Sequence, residues 1–122
     1  MDLHAYIEGH ATKTIQPGET VLFGCGVAVS IFAGFEGQVR SRSGLALKQG
    51  LIVLNSPGTI DSNYTGELGA ILHNTSSEPR VINHGDRIAQ LVIAPVAKAT
   101  LVEVAYLDET NRGSAGFGSS GV

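Results

Sequence analysis

Short apolar runs separated by turn-forming residues are the feature that most restricts the fold of this chain. Almost no segment shows the period of 3.6 residues that is typical of an amphipathic helix. Short apolar runs bounded by Gly, Pro, Ser and Asn predict β-strands. The predicted strands are residues 3–7, 20–23, 27–31, 37–40, 51–54, 67–73, 80–82, 87–94 and 101–105. Strands of this length and spacing predict an all-β sandwich or jelly roll.

One very short helix is predicted at residues 44–49, with Ser43 as its N-cap and Gly50 as its C-terminal stop. The runs at 68–72 and 91–97 do not alternate, which predicts strands buried on both faces, inside a sandwich or at a subunit interface. We therefore expect a single β domain over residues 1–108. Residues 109–122 contain few large apolar side chains, and we expect them to form a C-terminal arm that is mobile without a ligand.

Composition excludes several classes of function. A net charge of −3 and the absence of a Lys/Arg cluster argue against a nucleic-acid surface. No apolar run approaches the roughly 18 residues that a membrane span needs. The single cysteine and the lack of a secretory signal predict a cytoplasmic protein, or one of the host nucleus or cytoplasm if the chain is viral. The charged fraction of 16% is low, so some apolar surface is expected to lie between subunits.

The segment GTIDSNYTGE, residues 58–67, is the strongest candidate for chemistry. It lies between the apolar runs at 51–54 and 68–72, which predicts a hairpin with Asp61 and Tyr64 near its mouth. A carboxylate beside an aromatic ring can activate a water molecule next to a packed ligand. The alternative is structural, with Asp61 capping the turn and Tyr64 covering a sheet edge.

Three further segments carry candidate ligand-binding residues: RSRSGLA at 40–46, GDRIAQL at 85–91 and RGSAGFGSSG at 112–121. A Ser-Gly pair at a helix start, preceded by Arg, presents backbone N–H groups and a cation suited to a phosphate oxygen. A plain helix cap with surface arginines is the alternative for the first segment. The composition of the last segment is also that of a flexible linker.

With MDLHA at residues 1–5, these blocks resemble the five motifs of the trimeric dUTPase family in order and approximate spacing, over nearly the whole chain. The resemblance implies a Mg²⁺-dependent dUTP pyrophosphatase that yields dUMP and pyrophosphate, serving nucleotide pool sanitation and dUMP supply for dTTP synthesis. It implies a homotrimer with shared active sites. It also implies that Asp61 is the general base that directs water to the α-phosphorus.

The resemblance also assigns the other site residues. Phosphate binding is expected from Arg42, Ser43, Gly44 and Gln90. Recognition of uracil is expected from Asn55 and from the main chain of Gly58 to Ile60, and Tyr64 is expected under the deoxyribose. The arm would close over the nucleotide through Arg112, Phe117, Gly118, Ser119 and Ser120.

The first motif is shortened, because only Asp2, Leu3 and Ala5 of the family pattern are present, without the strand that the family places before them. By resemblance, Asp2 is a candidate to contact Mg²⁺ through water. The four histidines show no metal-ligand spacing, so any Mg²⁺ is expected on the substrate phosphates. Asp86 is expected to be structural, and Arg87 has no assigned role.

Two other functions are open to a chain of this kind. The dCTP deaminases share the fold but carry a catalytic Glu at the position of Ile71, and an aliphatic side chain cannot shuttle protons. A β-trimer that binds nucleotide or a partner protein without turnover is the third hypothesis, and the shortened first motif favours it.

Overall fold

The structure, a computed structural model, describes residues 1–118. This part of the chain contains nine strands, one helix and one 3-10 turn at Glu8–His10. The helix α1 is Ser43–Gln49. The strands are β1 Asp2–His4, β2 Thr12–Ile15, β3 Thr20–Ala28, β4 Phe35–Arg40, β5 Leu51–Val53, β6 Gly58–Ile60, β7 Glu67–Asn74, β8 Arg80–Asn83 and β9 Arg87–Pro95.

Three antiparallel sheets enclose one apolar core. The sheet orders are β1-β9-β4-β6, β3-β7-β5 and β2-β8. Each sheet contributes fully buried side chains, for example Ala89, Leu72 and Ile15. The prediction of an all-β sandwich of the jelly-roll type with one very short helix is confirmed. The sheets pack together because each one has an apolar face that must be buried against another layer.

The predicted pairing of the two apolar runs around residues 58–67 is also confirmed. Strands β5 and β7 are antiparallel, with Val53 opposite Leu72. The connecting segment is longer than a turn, since it contains β6, which pairs with β4 in the other main sheet. This segment therefore crosses from one sheet to the other and returns.

Several strand predictions need correction. The strand predicted at 20–23 extends to Ala28 as strand β3, through an irregularity between Gly24 and Ala28. Of the separate strand predicted at 27–31, residues 29–31 lie outside any strand. Strands β2 and β6 were not predicted, because their short polar sequences, TKTI and GTI, carry little apolar signal. The strand predicted at 101–105 is absent, since these residues find no pairing partner within residues 1–118.

Burial on both faces is also wrong for the single chain. Strand β7 alternates between fully buried residues and half-buried ones such as Gly69 and Ile71. At the end of β9, Ile93 and Pro95 are exposed. The apolar residues of these strands are thus only partly covered by the chain's own fold.

Helix α1 begins one residue earlier than predicted. Arg42 occupies the N-cap position, without a side-chain capping bond, so the prediction of Ser43 as N-cap is wrong. Gly50 ends the helix in the left-handed conformation (φ 65°) and donates its N–H to the last turn, as predicted. The first intrahelical bond runs from the N–H of Ala46 to the oxygen of Arg42, so the N–H groups of Ser43 and Gly44 have no acceptor within the helix.

After β9 the chain runs without further strands or helices, and every residue from Pro95 to Gly118 is exposed. The last strand ends at Pro95, well before the domain boundary expected at residue 108. That boundary remains a prediction. No helix within residues 1–118 is long and apolar enough to cross a membrane.

Candidate active site

A cluster of charged side chains joins β1, α1 and β9. The Asp2 carboxylate lies 3.3 Å from Nε of Arg42 and 3.4 Å from Nη1 of Arg87. Arg42 also donates from Nη1 to the main-chain oxygen of Arg87, at 3.1 Å. The long-range pairing of β1 with β9 places Asp2 here, since Asp2 lies opposite Gln90.

Gln90 lies at the centre of this cluster. It pairs with Asp2 on one side and with Arg40 on the other, and its side chain is exposed. Desolvation by burial would raise the pKa of Asp2. The positive charges of Arg42 and Arg87 and a hydrogen bond with Gln90 outweigh that effect and hold the pKa of Asp2 below its usual 3.8.

The predicted phosphate-binding residues therefore come together. Arg42, Gln90 and the first-turn N–H groups of Ser43 and Gly44 lie on adjoining elements. Ser41 connects the phosphate-binding candidates to the segment that follows β5. It accepts the N–H of Val53 on its hydroxyl at 2.8 Å and donates its own N–H to Ser56 Oγ at 3.2 Å.

A small pocket of about 180 Å³ opens beside the Ser56 turn. The predicted residues Asn55, Gly58, Ile60 and Tyr64 all line it. The other lining residues are Leu22, Val39, Thr59, Gly69 and Ile71. There is little space for a side chain at position 58, because a Cβ added to Gly58 would lie 3.1 Å from Nδ2 of Asn55.

Tyr64 is held at the wall of this pocket. Its N–H donates to the main-chain oxygen of Asp61 at 3.0 Å, and its hydroxyl donates to that of Glu67 at 2.8 Å. The first bond makes residues 61–64 a tight turn directly after β6. Asp61 and Tyr64 therefore lie at opposite ends of one turn.

Asp61 is exposed and is one of the residues that line a second, more polar cleft. This cleft has a volume of about 300 Å³ and is also lined by Glu36, Asn63 and Lys98. Asp61 makes no side-chain hydrogen bond or ion pair with any other residue in the range 1–118. Its oxygens are thus available to a water molecule or a ligand.

Residues 109–118 of the arm make no hydrogen bond to these groups in the single chain. Arg112 donates from Nε to the main-chain oxygen of Ala115, 2.9 Å away, within the arm itself. Phe117 and Gly118 are fully exposed and have positive φ angles of 50° and 91°. Ser119 and Ser120 lie outside the described residues.

Sequence reasoning missed three residues that shape the site. Arg87 had no assigned role, yet it shares Asp2 with Arg42. Ser41 and Glu67 act through hydrogen bonds to main-chain atoms distant in sequence, for which a local motif gives no signal. Asp86 is structural, as expected, because Oδ2 accepts the main-chain and side-chain N–H groups of Asn83.

Metal binding by the protein alone has little support within residues 1–118. No group of three His, Cys, Asp or Glu side chains in this range could hold an ion. Both oxygens of Asp2 contact a guanidinium group. The acidic side chains of residues 1–118 therefore form no cage of oxygen ligands around an ion.

Comparison with protein families gives a match over most of the chain. The family model described as dUTPase matches residues 7–121. A deoxyuridine 5'-triphosphate nucleotidohydrolase of Rhizobium etli is 54% identical over 122 residues, covering 100% of this chain and 78% of the relative. One of Methylocella silvestris is 53% identical over 121 residues, covering 99% and 76%.

Solved structures give the same result. A dUTPase mutant of Staphylococcus bacteriophage 80alpha with dUpNHpp superposes with a TM-score of 0.86 at 30% identity, covering 99% of this chain and 85% of that one. A dUTPase mutant from phage phi11 of S. aureus gives a TM-score of 0.77 at 28% identity, covering 88% and 84%. That structure is described as revealing how a structural Mg(II) ion is coordinated.

Proposed function

Because this chain belongs to the dUTPase family and is a hydrolase, we propose that it converts dUTP and water into dUMP and pyrophosphate. The observation that carries the proposal is the pocket in which Asn55, Gly58, Ile60 and Tyr64 meet, one turn away from the free carboxylate of Asp61. The reaction would remove dUTP from the nucleotide pool and supply dUMP for dTTP synthesis.

Asp61 is proposed as the general base. Its carboxylate takes a proton from a water molecule, and the water oxygen forms a bond to the α-phosphorus. The bond from that phosphorus to the bridging oxygen breaks, and pyrophosphate leaves. A positioned base of this kind contributes about 10²–10⁴ in rate. The exposed, unpaired position of Asp61 supports this role.

The phosphates are proposed to bind at the charge cluster. Arg42 and the N–H groups of Ser43 and Gly44 donate to phosphate oxygens, and Gln90 contacts the α-phosphate. Asp2 holds the Arg42 guanidinium through the 3.3 Å ion pair, so the cation is oriented before substrate arrives. Arg87 adds a second positive charge beside it.

Uracil is proposed to enter the small pocket, where Asn55 and the main chain of residues 58–60 contact its polar edge. The ring of Tyr64 packs against the deoxyribose and leaves no room for a 2′-hydroxyl. Close packing also rejects the 5-methyl group of thymine. Affinity alone discriminates one methyl group by only about 10–200-fold, so steric overlap is needed as well. The aliphatic Ile71 in this pocket offers no proton shuttle for deamination.

The metal is proposed to be Mg²⁺, carried by the triphosphate. When bound, it neutralises phosphate charge and helps to fix the phosphate geometry. A contact from Asp2 through water stays a prediction of the resemblance, and the two ion pairs of Asp2 support a positioning role instead.

The assembly is proposed to be a homotrimer in which each site uses three chains. The phosphate residues come from one subunit, residues 55–64 from a second and the arm from a third. Two observations support this arrangement: residues 109–118 make no hydrogen bond to the rest of the described chain, and large apolar side chains such as Leu101 and Tyr106 are exposed.

The decisive experiment is pyrophosphate release from dUTP, with Mg²⁺ and with EDTA, compared with dCTP, dTTP and UTP. Metal-dependent release from dUTP alone is expected. No release, with dUTP still protecting the arm from protease, would replace this proposal with a binding-only protein. Ammonia from dCTP would replace it with a deaminase.

A further inference from the structure

The orientation of Tyr64 depends on its two neighbours at the start of β7. Its hydroxyl donates to the main-chain oxygen of Glu67 at 2.8 Å. Its ring lies directly over Gly66, where an added Cβ would stand 2.6 Å from the phenol oxygen and 2.7 Å from Cζ. Heavy atoms do not approach a Cβ this closely, so the ring occupies space that any other residue at position 66 would take.

The side chain of Glu67 reaches from β7 to β3. Its Oε1 accepts the N–H of Gly26 at 2.8 Å. The carboxylate lies over Gly24, where an added Cβ would stand 2.5 Å from the same oxygen. Two glycines in the sequence GCG thus provide the room and the donor for one carboxylate.

This contact sits on an irregularity in the sheet. Regular pairing of β3 with β7 stops at Gly24 opposite Gly69 and resumes at Ala28 opposite Glu67. Three residues of β3 therefore lie opposite one of β7, and Gly26 has a φ of 67°. Bulges of this kind leave a backbone group unpaired and redirect neighbouring side chains. The Glu67 carboxylate pairs with that backbone N–H through a charge-assisted hydrogen bond.

We infer that Glu67 is a positioning residue that fixes the ring of Tyr64 and thereby sets the preference for deoxyribonucleotides over ribonucleotides. The inference rests on the proposed function, in which Tyr64 packs against the sugar. Glu67 is the first residue of β7, and its carboxylate holds this end of the strand against β3. Its main-chain oxygen accepts the hydrogen bond from the phenol of Tyr64. Steric rejection of one hydroxyl requires a ring that cannot move aside.

The test measures binding, not turnover, so that it is independent of the proposed reaction. Affinities for dUMP and UMP are measured by calorimetry for the wild-type chain and for Glu67→Ala. We expect the dUMP:UMP affinity ratio to fall about tenfold in the variant, because a displaced ring admits the 2′-hydroxyl. Glu67→Gln keeps an acceptor for the Gly26 N–H and is expected to keep most of the ratio. Glu8→Ala removes an exposed carboxylate elsewhere and serves as the control.

A second substitution reaches the ring without touching Glu67. In Gly66→Ala the new Cβ occupies the position of the phenol, so the ratio is expected to fall as well. The double variant with Glu67→Ala should lose little more than the larger single effect, since both changes act through Tyr64. If Glu67→Ala does not fold, Glu67→Met takes its place in the comparison. The Met side chain has a similar length but lacks the carboxylate acceptor.

The inference is overturned if the ratio stays at the wild-type value in folded Glu67→Ala or Glu67→Met. An equal loss of affinity for both nucleotides also overturns it, because that result indicates a purely structural role. A wild-type chain that does not prefer dUMP overturns it too. A wild-type chain that binds dUMP selectively but does not hydrolyse dUTP contradicts only the proposed reaction.

Discussion

Arg42 and Asp2 form an ion pair of 3.3 Å that joins the residue before α1 to the first strand of the fold. Forty positions separate the two residues in sequence, and the pair forms because β1 and β4 lie on either side of β9 in one sheet. The contact gives the guanidinium of Arg42, which we propose binds phosphate, a fixed direction before any ligand is present.

Replacing Asp2 with Asn tests this relationship. Asp2→Asn keeps the shape but removes the charge that orients Arg42, so we expect KM for dUTP to rise about tenfold. The Mg²⁺ concentration for half-maximal rate should not change. Asp108→Asn is the control, because Asp108 is exposed and forms no ion pair with any of residues 1–118. A higher Mg²⁺ requirement with an unchanged KM would instead place Asp2 near the metal.

Replacing Asp61 with Asn tests the proposed base. Asp61→Asn is nearly isosteric, so dUTP should bind as before while kcat falls by at least about 10². Single-turnover pyrophosphate release measures the chemical step directly. Glu36→Gln alters another carboxylate of the same cleft and should retain kcat. Near-normal kcat in Asp61→Asn would remove Asp61 from the mechanism.

The fold was predictable where strands are apolar and near in sequence. Strands β5 and β7 carry clear apolar runs, and both were predicted. Strand β6 was missed, because its three residues pair with β4 only through long-range register that no local pattern encodes. The run at 101–105 has the sequence of a strand but pairs with no other strand among residues 1–118, and strand formation depends on an available edge.

The candidate site was predictable as a set of motifs but not as a network. The family resemblance placed Asn55, Gly58 and Tyr64 in one site, and these residues line one pocket. Arg87 was left unassigned, because its partner Asp2 lies 85 positions away. Glu67 had no assigned role, because its contact with Gly26 depends on a bulge that no local sequence pattern indicates.

Removing residues 109–122 tests the arm. Residues 109–118 are exposed and make no hydrogen bond to the rest of the described chain, so the thermal midpoint should change by less than about 2 °C. The value of kcat/KM for dUTP should fall at least about tenfold, because the arm that we propose closes over the nucleotide and excludes water is lost. Phe117→Ala in the full chain separates the contribution of the ring. Full activity in the shortened chain would contradict a role for the arm.

The raised pKa of the Cys25 thiol predicts how the free energy of unfolding depends on pH in the alkaline range. Burial, with a smaller contribution from the negative charge of Glu67, raises the pKa of Cys25 from 9.0 to about 11. The folded chain therefore holds this proton at pH values where the unfolded chain releases it. Stability from this group is complete below pH 9 and is lost as the pH rises towards 11.

Urea unfolding of the wild-type chain and of Cys25→Ala from pH 8 to pH 10.5 measures the effect. Other titrating groups are common to both proteins, so their contributions cancel in the difference. The wild-type advantage in free energy of unfolding should shrink by about 2 kcal/mol over this range. Parallel pH profiles would show that water reaches the thiol, which would contradict the burial of Cys25 between the two glycines of the GCG sequence.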